Sequence, residues 1–425
     1  MSNSESLALK RTSDAFIWTR ILNTPFWALF GILPFIIYKD LHASAFQVTL
    51  MITLKPLVSI FSAYWGSAIN KRRDRLLSNV IWANVIKHLP FLFFPFFDNA
   101  WFLIFSSGVY MMLHRGVVPA WMEILKINLP SASREKVFAN GTAIGYLGDG
   151  ILPFVLGFLL DGYFEAWRWI FPIAALVSFF GVYFQAQIPI ALDCLQKEPE
   201  AFVLKKQLLL PWRNAWELLT TRLDFLKFQI GFMVLGGGGL MIMQPALPGF
   251  FVDTLKLSYT EMSIALTLCK GIGCAVTSST WAKLMQKVDL YKMSSWVTAL
   301  GCLFTLFLLA SQFNLLWLYL AYISYGVMQA GSELSWNLSG PIFAKDEDSS
   351  IYSGVNVLMV GIRGAIVPAI GSFLCVMTSP SMIILLGSAL CLLATIKLAR
   401  DSKSALSVSL GKKKQDRKDQ AGYAG

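Results

Sequence analysis

One stretch of sequence occurs twice in this chain, separated by about half of its length. The first copy begins at Leu33-Pro34 and the second at Leu247-Pro248, and Lys55 in the first copy matches Lys270 in the second. Further matches are Ser44 with Ser258, Thr53-Leu54 with Thr267-Leu268 and Trp65 with Trp281. Each copy joins two apolar segments through a short polar turn, with the lysine inside the second segment. A half-length repeat of membrane-length segments is typical of a transporter with two related halves.

The composition favours a membrane protein over a soluble one. The 425 residues are 56% hydrophobic and only 14% charged, whereas soluble domains carry about 25% charged residues. A helix needs about 20 apolar residues to cross a bilayer, and on that measure we predict twelve spans. Their approximate ranges are 17–38, 46–69, 76–97, 100–122, 137–160, 168–190, 226–252, 260–283, 292–311, 315–339, 352–377 and 381–399.

The spans and the repeat together predict an all-α polytopic membrane protein with two pseudo-symmetric six-helix bundles. Between the bundles, Leu208, Trp212 and Trp216 recur at helical spacing, which favours an amphipathic helix on the membrane surface. The predicted parts are a cytoplasmic N-terminus (1–16), an N-terminal bundle (17–190), a cytoplasmic linker with the amphipathic helix (191–225), a C-terminal bundle (226–399) and a basic cytoplasmic tail (400–425).

Basic residues are distributed unevenly among the loops. Of the 36 Lys and Arg residues, only Lys39, Arg168 and Lys256 fall in loops that we assign to the external side. Because basic loops mark the cytoplasmic side of a membrane protein, we expect both termini to be cytoplasmic. The first span lacks a signal-peptide cleavage site, and this feature and the short loops favour a bacterial inner membrane. The basic loops and tail explain the net charge of +11, so we expect contact with anionic lipid and none with nucleic acid.

The sequence contains no pattern that indicates catalysis or a resident metal. Its three histidines are scattered, and its six cysteines form no CxxC pair, so we predict neither a metal centre nor a disulfide framework. It also lacks a phosphate-binding loop, an HExxH motif and a nucleophile elbow. We therefore predict that the protein is not an enzyme and uses no cofactor.

Three motifs resemble those of a known transporter family. After the second span, the loop Gly66-Ser-Ala-Ile-Asn70-Lys71-Arg-Arg-Asp-Arg75 is similar to the pattern G-x-x-x-D-R-x-G-R-R/K, with Asn70 in place of the usual acid. The fifth span leads into the sixth through Gly157-Phe-Leu-Leu-Asp161-Gly162 and Trp167-Arg-Trp-Ile-Phe171. The fourth span carries Arg115. The chain resembles the major facilitator superfamily in these features.

This resemblance covers residues 17–399 and implies alternating access in a monomer, with the helices arranged around a central cavity. It also implies that the fifth span faces the eighth and the second faces the eleventh. A charge inside the membrane is costly and is usually functional. We therefore expect Asp149 to lie near Lys270 and Lys55 near Arg363, which is a pair of unlike charges on one side of the cavity and two cations on the other.

The two cations have two interpretations. Lys55 and Arg363 bind an anionic group of the substrate, for which a bidentate arginine is well suited; alternatively, each pairs with another group, snorkels or is anchored on backbone carbonyls. Asp149 and Lys270 form either a structural pair or a proton-sensitive switch. Glu333 is a second proton-site candidate, and its alternative is a contact with Arg115.

Other polar residues lie on spans that line the cavity of the resembled fold. The complete set of substrate-binding candidates is Lys55, Arg363, Arg115, Asn23, Trp27, Gln244, Gln329 and Asn337. The candidates for proton coupling or gating are Asp149, Lys270, Glu333, Gly66, Asn70, Lys71 and Arg75. We assign Lys87 and His88 to a peripheral third span, where a cavity role is not expected.

These residues predict a secondary transporter for a small polar, anionic organic solute, driven by protons or by exchange. Its expected partners are that solute and the lipid bilayer. Two alternatives stay open. The chain is a transporter-like sensor or scaffold without net flux, which the altered loop at Asn70 favours, or a multidrug exporter, which the cationic cavity disfavours.

Overall fold

The computed structural model describes residues 3–71, 75–163, 165–189, 204–344 and 349–422. Within these ranges all regular structure is helical, as predicted, because a segment inside lipid must satisfy its backbone hydrogen bonds internally. Some side chains inside these helices, including that of Asp149, lie outside the described residues.

The N-terminal half of the chain, up to residue 189, folds into seven α-helices and a 3₁₀ helix. The α-helices are α1 (Asn3–Lys39), α2 (Ala45–Lys71), α3 (Leu76–His88), α4 (Ala100–Gly116), α5 (Val118–Asn128), α6 (Ser131–Gly162) and α7 (Trp167–Gln185). The 3₁₀ helix Leu89–Phe96 continues α3.

The C-terminal half, from residue 204, contains more interruptions. Its α-helices are α8 (Leu204–Thr221), α9 (Leu223–Phe228), α10 (Gly237–Ile242), α11 (Leu247–Gly249), α12 (Tyr259–Ser263), α13 (Lys270–Met285), α14 (Leu290–Ala310), α15 (Leu316–Ala344), α16 (Ser349–Met377) and α17 (Pro380–Gly422). Three π-helical segments (Gln229–Gly236, Phe250–Thr254 and Ile264–Cys269) and a 3₁₀ turn (Gln244–Ala246) join consecutive α-helices.

Nine helical stretches of the described chain are long and apolar enough to cross a membrane. They are Ser6–Lys39, Leu76–Phe96, Ala100–Asn128, Trp167–Gln185, Leu223–Thr254, Tyr259–Met285, Leu290–Ala310, Gly354–Met377 and Pro380–Lys403. The other three predicted spans fall on α2, α6 and α15. Of these, α2 contributes a shorter apolar stretch, and α15 carries several polar residues in its second half. The count of twelve remains a prediction.

The repeat has the same local structure in both copies. The Ser258 hydroxyl accepts from the backbone N–H of Glu261 (3.1 Å), whose carboxylate accepts from the N–H of Ser258 (2.8 Å). In the first copy, Ser44 and Gln47 make the same reciprocal pair at 3.3 and 2.9 Å. Such a capping box satisfies the free N–H groups of a helix start, so each copy begins its second span in the same way.

Helix α8 lies within the predicted linker. Leu209, Trp212 and Trp216 are exposed on it, whereas Ala215 and Leu218 are buried. The buried face packs against α16, and the exposed apolar face has the pattern of a helix at a membrane surface. The division of the chain into five parts remains a prediction.

The buried core is shared between the halves at one end of the molecule and divided at the other. One cluster contains residues of both halves, including Phe30 and Phe35 of α1 and Phe251, Phe304 and Tyr322 of the C-terminal half. A second cluster contains only residues 215–398 and a third only residues 15–188. Among the described residues, the buried cluster that both halves share therefore lies at one end of the molecule.

In the described chain, two helix pairs make the most extensive contacts between the halves. Helix α2 packs against α16, and α6 packs against α12, as the resemblance implies for the second and eleventh and for the fifth and eighth spans. In the pair α2–α16, Gly364 lies against Pro56. In the pair α6–α12, Gly157 lies so close to Ser263 that a Cβ at this glycine would be 3.0 Å from the Ser263 Oγ. Small residues allow this close approach of helices in a membrane.

Candidate functional site

A cavity of about 210 Å³ lies between the two halves. The N-terminal half contributes Gly31, Pro34, Phe35, Ile52 and Lys55 to its wall. The C-terminal half contributes Gln244, Lys270, Phe304, Tyr322 and Tyr325, together with Pro248 and two leucines. The cavity therefore combines two lysines with a mostly apolar and aromatic wall, which is the usual composition of a small-molecule site.

The sequence repeat converges on this cavity. Pro34 and its repeat partner Pro248 both line the wall, and so do Lys55 and its partner Lys270. Each half therefore supplies one proline and one lysine from equivalent positions. Because the spans that carry them are related by the repeat, equivalent residues meet where the two halves face each other.

Irregular helix geometry is concentrated around the lysine of the C-terminal half. The π-helical segment Ile264–Cys269 ends immediately before Lys270, and Gln244 begins the 3₁₀ turn in the preceding span. π-Helical turns inside α-helices are frequent at functional sites. Gln244 lines the cavity, and so does Lys270, which directly follows the π-helical segment.

The two lysines lie within electrostatic range of each other. Lys55 interacts with the positive charges of Lys270 and Arg115, and its ammonium is 4.9 Å from the centre of the Phe30 ring. The Lys270 ammonium is 5.7 Å from the centre of the Tyr325 ring. Aromatic faces stabilise a cation modestly. Among the described lining residues, two side chains are cationic and none is acidic.

The structure places Arg363 away from the cavity wall. Its guanidinium donates to the backbone carbonyl of Met233 (2.7 Å) and packs against Gly237. The absence of a side chain at Gly237 makes room for the guanidinium inside the C-terminal half, and the carbonyl satisfies one of its donors. Arg363 is close to the cavity, because it interacts with Tyr325 and because the adjacent Gly364 contacts Pro56, the residue after Lys55. The predicted proximity of Lys55 and Arg363 remains a prediction.

Several predicted gating residues have side chains outside the described residues. This applies to Asp149, Gly66, Asn70 and Lys71. Arg75 is exposed immediately before α3. The pairing of Asp149 with Lys270 and the gating role of the Gly66–Arg75 loop remain predictions.

A polar group lies on α15 beside the cavity. The Gln329 side chain donates to the Glu333 carboxylate (3.3 Å), and the exposed Asn337 donates to the Glu333 backbone carbonyl (2.9 Å). Glu333 also interacts electrostatically with Tyr325, which lines the cavity. The arrangement connects Glu333 to the cavity wall through Tyr325. The predicted contact of Glu333 with Arg115 remains a prediction.

The predicted residues of α1 belong to a buried cluster inside the N-terminal half. The Asn23 amide donates to the Tyr110 hydroxyl (3.3 Å), and its oxygen lies 2.9 Å from His88 Nε2. Trp27 stacks on His114 with the ring centres 4.9 Å apart. These contacts place Asn23 and Trp27 in one cluster. Trp27 also stacks on Phe30, whose ring faces the cavity residue Lys55.

This cluster also contains Lys87 and His88 of α3, for which we expected no cavity role. His88 and Lys87 are buried, and the Lys87 ammonium is 5.5 Å from the Tyr110 ring centre. Because we assigned their span to the periphery, a contact with α1 was not expected. The signal that favours burial is the charge itself, because Lys and His inside a membrane face protein rather than lipid.

The aromatic cavity residues were also missed. Phe304, Tyr322 and Tyr325 line the cavity but are not among the candidate residues of the sequence analysis. Their periodicity indicates one helix face but not the neighbour of that face. The repeat at Leu33-Pro34 is the signal that pointed to the cavity, since Pro34 and Pro248 lie in its wall.

At the end of the molecule that carries Lys39 and Arg168, the two halves are hydrogen-bonded. The Asp161 carboxylate of α6 accepts from the backbone N–H groups of Tyr259 (2.8 Å) and Thr260 (2.7 Å) and from the Thr260 hydroxyl (2.6 Å). Asp161 therefore caps the N-terminus of α12, where free N–H groups and the helix dipole favour a carboxylate.

Two tyrosine hydroxyls make further hydrogen bonds between the halves at this end. The Tyr259 hydroxyl donates to Asp40 (2.9 Å), and the Lys39 ammonium is 4.1 Å from the centre of the Tyr259 ring. The Tyr38 hydroxyl donates to Asp253. Burial raises the pKa of Asp40, while the Tyr259 hydrogen bond and the Lys39 charge oppose that shift. We call this set, together with the cap described above, the inter-half latch.

Comparison with known proteins identifies the family. The model of the Major Facilitator Superfamily matches residues 19–368. No curated protein matches the chain in sequence. Several solved structures share the fold at low identity. A mutant of the nucleoside transporter NupG has a TM-score of 0.75 at 14% identity, over 92% of this chain and 99% of that one.

Two further structures extend the comparison. A POT family transporter in complex with 5-aminolevulinic acid has a TM-score of 0.69 at 14% identity, over 93% of this chain and 96% of that one. A bacterial homologue of the human lysosomal transporter Spinster, in an inward-facing and unoccupied conformation, has a TM-score of 0.59 at 14% identity, over 95% and 99% of the two chains. The helical membrane fold, the repeat and the family match together show that this chain is an integral, multi-pass membrane protein that belongs to the Major Facilitator Superfamily.

Proposed function

We propose that the protein is a secondary active transporter that moves a small organic anion by alternating access. The observation that carries the proposal is the pair of lysines in one inter-half cavity, Lys55 from α2 and Lys270 from α13. Two cations at one site favour an anionic ligand, because an anion offsets their mutual repulsion. A ligand held by both halves interacts differently with each arrangement of the halves, which is the requirement for a coupled conformational change.

The division of the core supports alternating access. The halves share a buried cluster at the end that carries the inter-half latch and have separate clusters at the opposite end. A rocking motion about a central site needs one end to open while the other closes. We propose that the latch end is external, as the distribution of basic residues predicts, so that this arrangement admits solute from the cytoplasmic side.

Transport against a gradient needs a driving force. Proton coupling and anion exchange are both consistent with a cationic cavity. Glu333 is the proposed proton carrier because it lies beside Gln329 and interacts with cavity-lining Tyr325. In exchange, a second anion on the far side binds the emptied carrier and is carried back when the carrier returns. The two modes differ in whether uptake needs a pH gradient or an internal anion.

The function is tested by anion uptake into proteoliposomes. A thermal-shift screen of the purified protein against carboxylates and phosphates first selects an anion, since a ligand of the native state raises the melting temperature. Uptake of that labelled anion is then measured for the wild type, Lys55→Gln and Lys270→Gln, with either a pH gradient or internal unlabelled anion. Because a charged hydrogen bond contributes about 1.5–3 kcal/mol, we expect each variant to bind the anion at least about tenfold more weakly.

The control is Lys283→Gln, which removes an exposed lysine from the same helix, α13. We expect this variant to retain wild-type binding and uptake. Binding of the anion without uptake under either gradient would contradict transport and support a sensor without net flux. Stabilisation by lipophilic cations alone, unchanged in the two lysine variants, would contradict the anion site.

A further inference from the structure

Among the described residues, the wall of the cavity has few polar groups besides its two lysines. Gln244 supplies an amide, and Tyr322 and Tyr325 supply phenolic hydroxyls. The remaining lining residues are glycine, proline, aliphatic residues and phenylalanine. A ligand that fills this cavity therefore meets charge at the lysines and apolar surface on most other sides.

Three aromatic rings lie together on the C-terminal side of the cavity. The ring centre of Phe304 is 4.8 Å from that of Tyr325 and 5.4 Å from that of Tyr322. The Lys270 ammonium lies 5.7 Å from the Tyr325 ring centre, at the edge of this group. We call Phe304, Tyr322 and Tyr325 the aromatic wall.

From this arrangement we infer that the transported anion is a small carboxylate with an aromatic body. Its carboxylate lies between Lys55 and Lys270, and its ring packs against the aromatic wall. Ring pairs with centres 4.5–7 Å apart, offset or edge to face, are favourable beyond simple burial. The inference rests on the proposed function and specifies its substrate class.

The same wall disfavours other anions and polar solutes. A sugar phosphate or a nucleoside carries several hydroxyl groups, each of which needs a hydrogen-bond partner when it leaves water. In the described part of the wall, Gln244 and the two tyrosine hydroxyls provide too few partners for a polyol. An aromatic ring has no such requirement and exchanges water for apolar contact.

The size of the cavity is consistent with this class. An apolar protein cavity of about 150 Å³ accommodates benzene, and the cavity here has about 210 Å³. The additional space corresponds to a short acidic side chain on the ring. Phenylacetate is therefore a suitable probe because it combines one ring with one carboxylate.

A calorimetric comparison of matched ligands tests the inference on the purified full-length protein. The probes are phenylacetate, cyclohexylacetate (same charge and similar size, without an aromatic ring), benzyl alcohol (ring without charge), glucose 6-phosphate, citrate and uridine. We expect phenylacetate to bind most tightly and cyclohexylacetate about fivefold more weakly, as the loss of aromatic pairing predicts.

Variants locate the ring and the carboxylate separately. Phe304→Leu keeps an apolar side chain in the aromatic wall, and we expect about fivefold weaker binding of phenylacetate with little change for cyclohexylacetate. Phe307→Leu is the matched control on α14, since Phe307 lies outside the cavity wall and packs on Trp317. If Phe304→Leu does not fold, the ligand series on the wild type still decides.

The outcomes separate the inference from the proposed function. If citrate or glucose 6-phosphate binds most tightly, and this binding is lost in Lys55→Gln and Lys270→Gln, the protein still binds an anion at the lysines. The inference of an aromatic substrate would then be overturned. Preferred binding of uridine, or equal binding of phenylacetate and cyclohexylacetate, would also overturn it. Phenylacetate binding that is unchanged in both lysine variants would overturn the anion site itself.

Discussion

At the residue scale, the position of Arg363 shows how one glycine determines where a charge points. The guanidinium occupies the space beside Gly237 and donates to the Met233 carbonyl. An arginine buried in a membrane needs such acceptors, because an unsatisfied charge in low dielectric is costly. Gly237 therefore makes possible an anchor inside the C-terminal half, where Arg363 also interacts with the cavity residue Tyr325.

The anchor predicts opposite results for two neighbouring glycines. In Gly237→Ala the new methyl group would overlap the Arg363 guanidinium, whereas Gly238→Ala places its methyl group where no other atom lies within 4 Å. We expect Gly237→Ala to lose about 1–3 kcal/mol of stability by overpacking and Gly238→Ala to be neutral or more stable. Thermal unfolding of both purified variants measures the difference, and equal melting temperatures would contradict the anchor.

At the element scale, close packing of α13 on α15 positions the second cavity lysine. Gly326 of α15 lies against the backbone carbonyl of Lys270, and Gly273 of α13 lies against that of Ile323. The π-helical segment Ile264–Cys269 ends at the same place. Small residues on both helices bring the backbones together, so the start of α13 is held against α15 at the position of Lys270.

This contact predicts a selective effect of substitution at Gly326. A Cβ there would overlap the Lys270 carbonyl, so Gly326→Ala should separate α13 from α15, displace Lys270 and lower anion uptake about tenfold. Gly271→Ala is the matched control because nothing lies within 4 Å of its Cβ. Uptake per molecule of folded protein is the readout. Normal uptake by Gly326→Ala would show that the contact does not position the lysine.

The sequence was more informative about the positions of the two lysines than about the contacts of the arginine. The repeat identified Lys55 and Lys270 as equivalent residues, and both lie in the cavity wall. It did not reveal that the Arg363 guanidinium is anchored on the Met233 carbonyl, because helix periodicity does not define the rotation of a helix about its axis. The buried contact of His88 with Asn23 was missed for the same reason.

At the scale of the whole molecule, the inter-half latch is asymmetric. The end of α6 caps α12 through Asp161, and at the matching end of α16 the Ser372 hydroxyl donates to the Ala45 carbonyl at 3.4 Å. The capping boxes at Ser44 and Ser258 are equivalent in the two copies. The charged cap is therefore an addition to one side of a symmetric scaffold, placed where the halves must separate if that end opens.

Removal of the cap is expected to shift the balance between conformations. Asp161→Ala loses three hydrogen bonds to the start of α12, and loss of a helix N-cap typically costs about 1 kcal/mol. We expect a severalfold larger population with the latch end open. Electron–electron distance measurements between spin labels at Tyr163 and Lys256, both exposed, in a background without cysteines, report this population.

The control for the latch is Asp98→Ala. Asp98 pairs with Arg168 at 2.8 Å within the N-terminal half, so its removal changes the charge at the same end without breaking a contact between the halves. We expect its distance distribution to match the wild type. A shift of equal size in both variants would mean that surface charge, and not the cap, controls opening.

The amino-acid sequence by itself determined the fold class, the repeat and the residues that the two copies share. Hydrophobicity along the chain and the similarity of the copies are local properties, so they are readable without knowledge of contacts. Only the tertiary structure decided which side chains share a cavity. The rotation of each helix depends on its neighbours. It brought Lys55 and Lys270 into one cavity with the aromatic wall, while Gly237 admitted Arg363 to the interior of the C-terminal half.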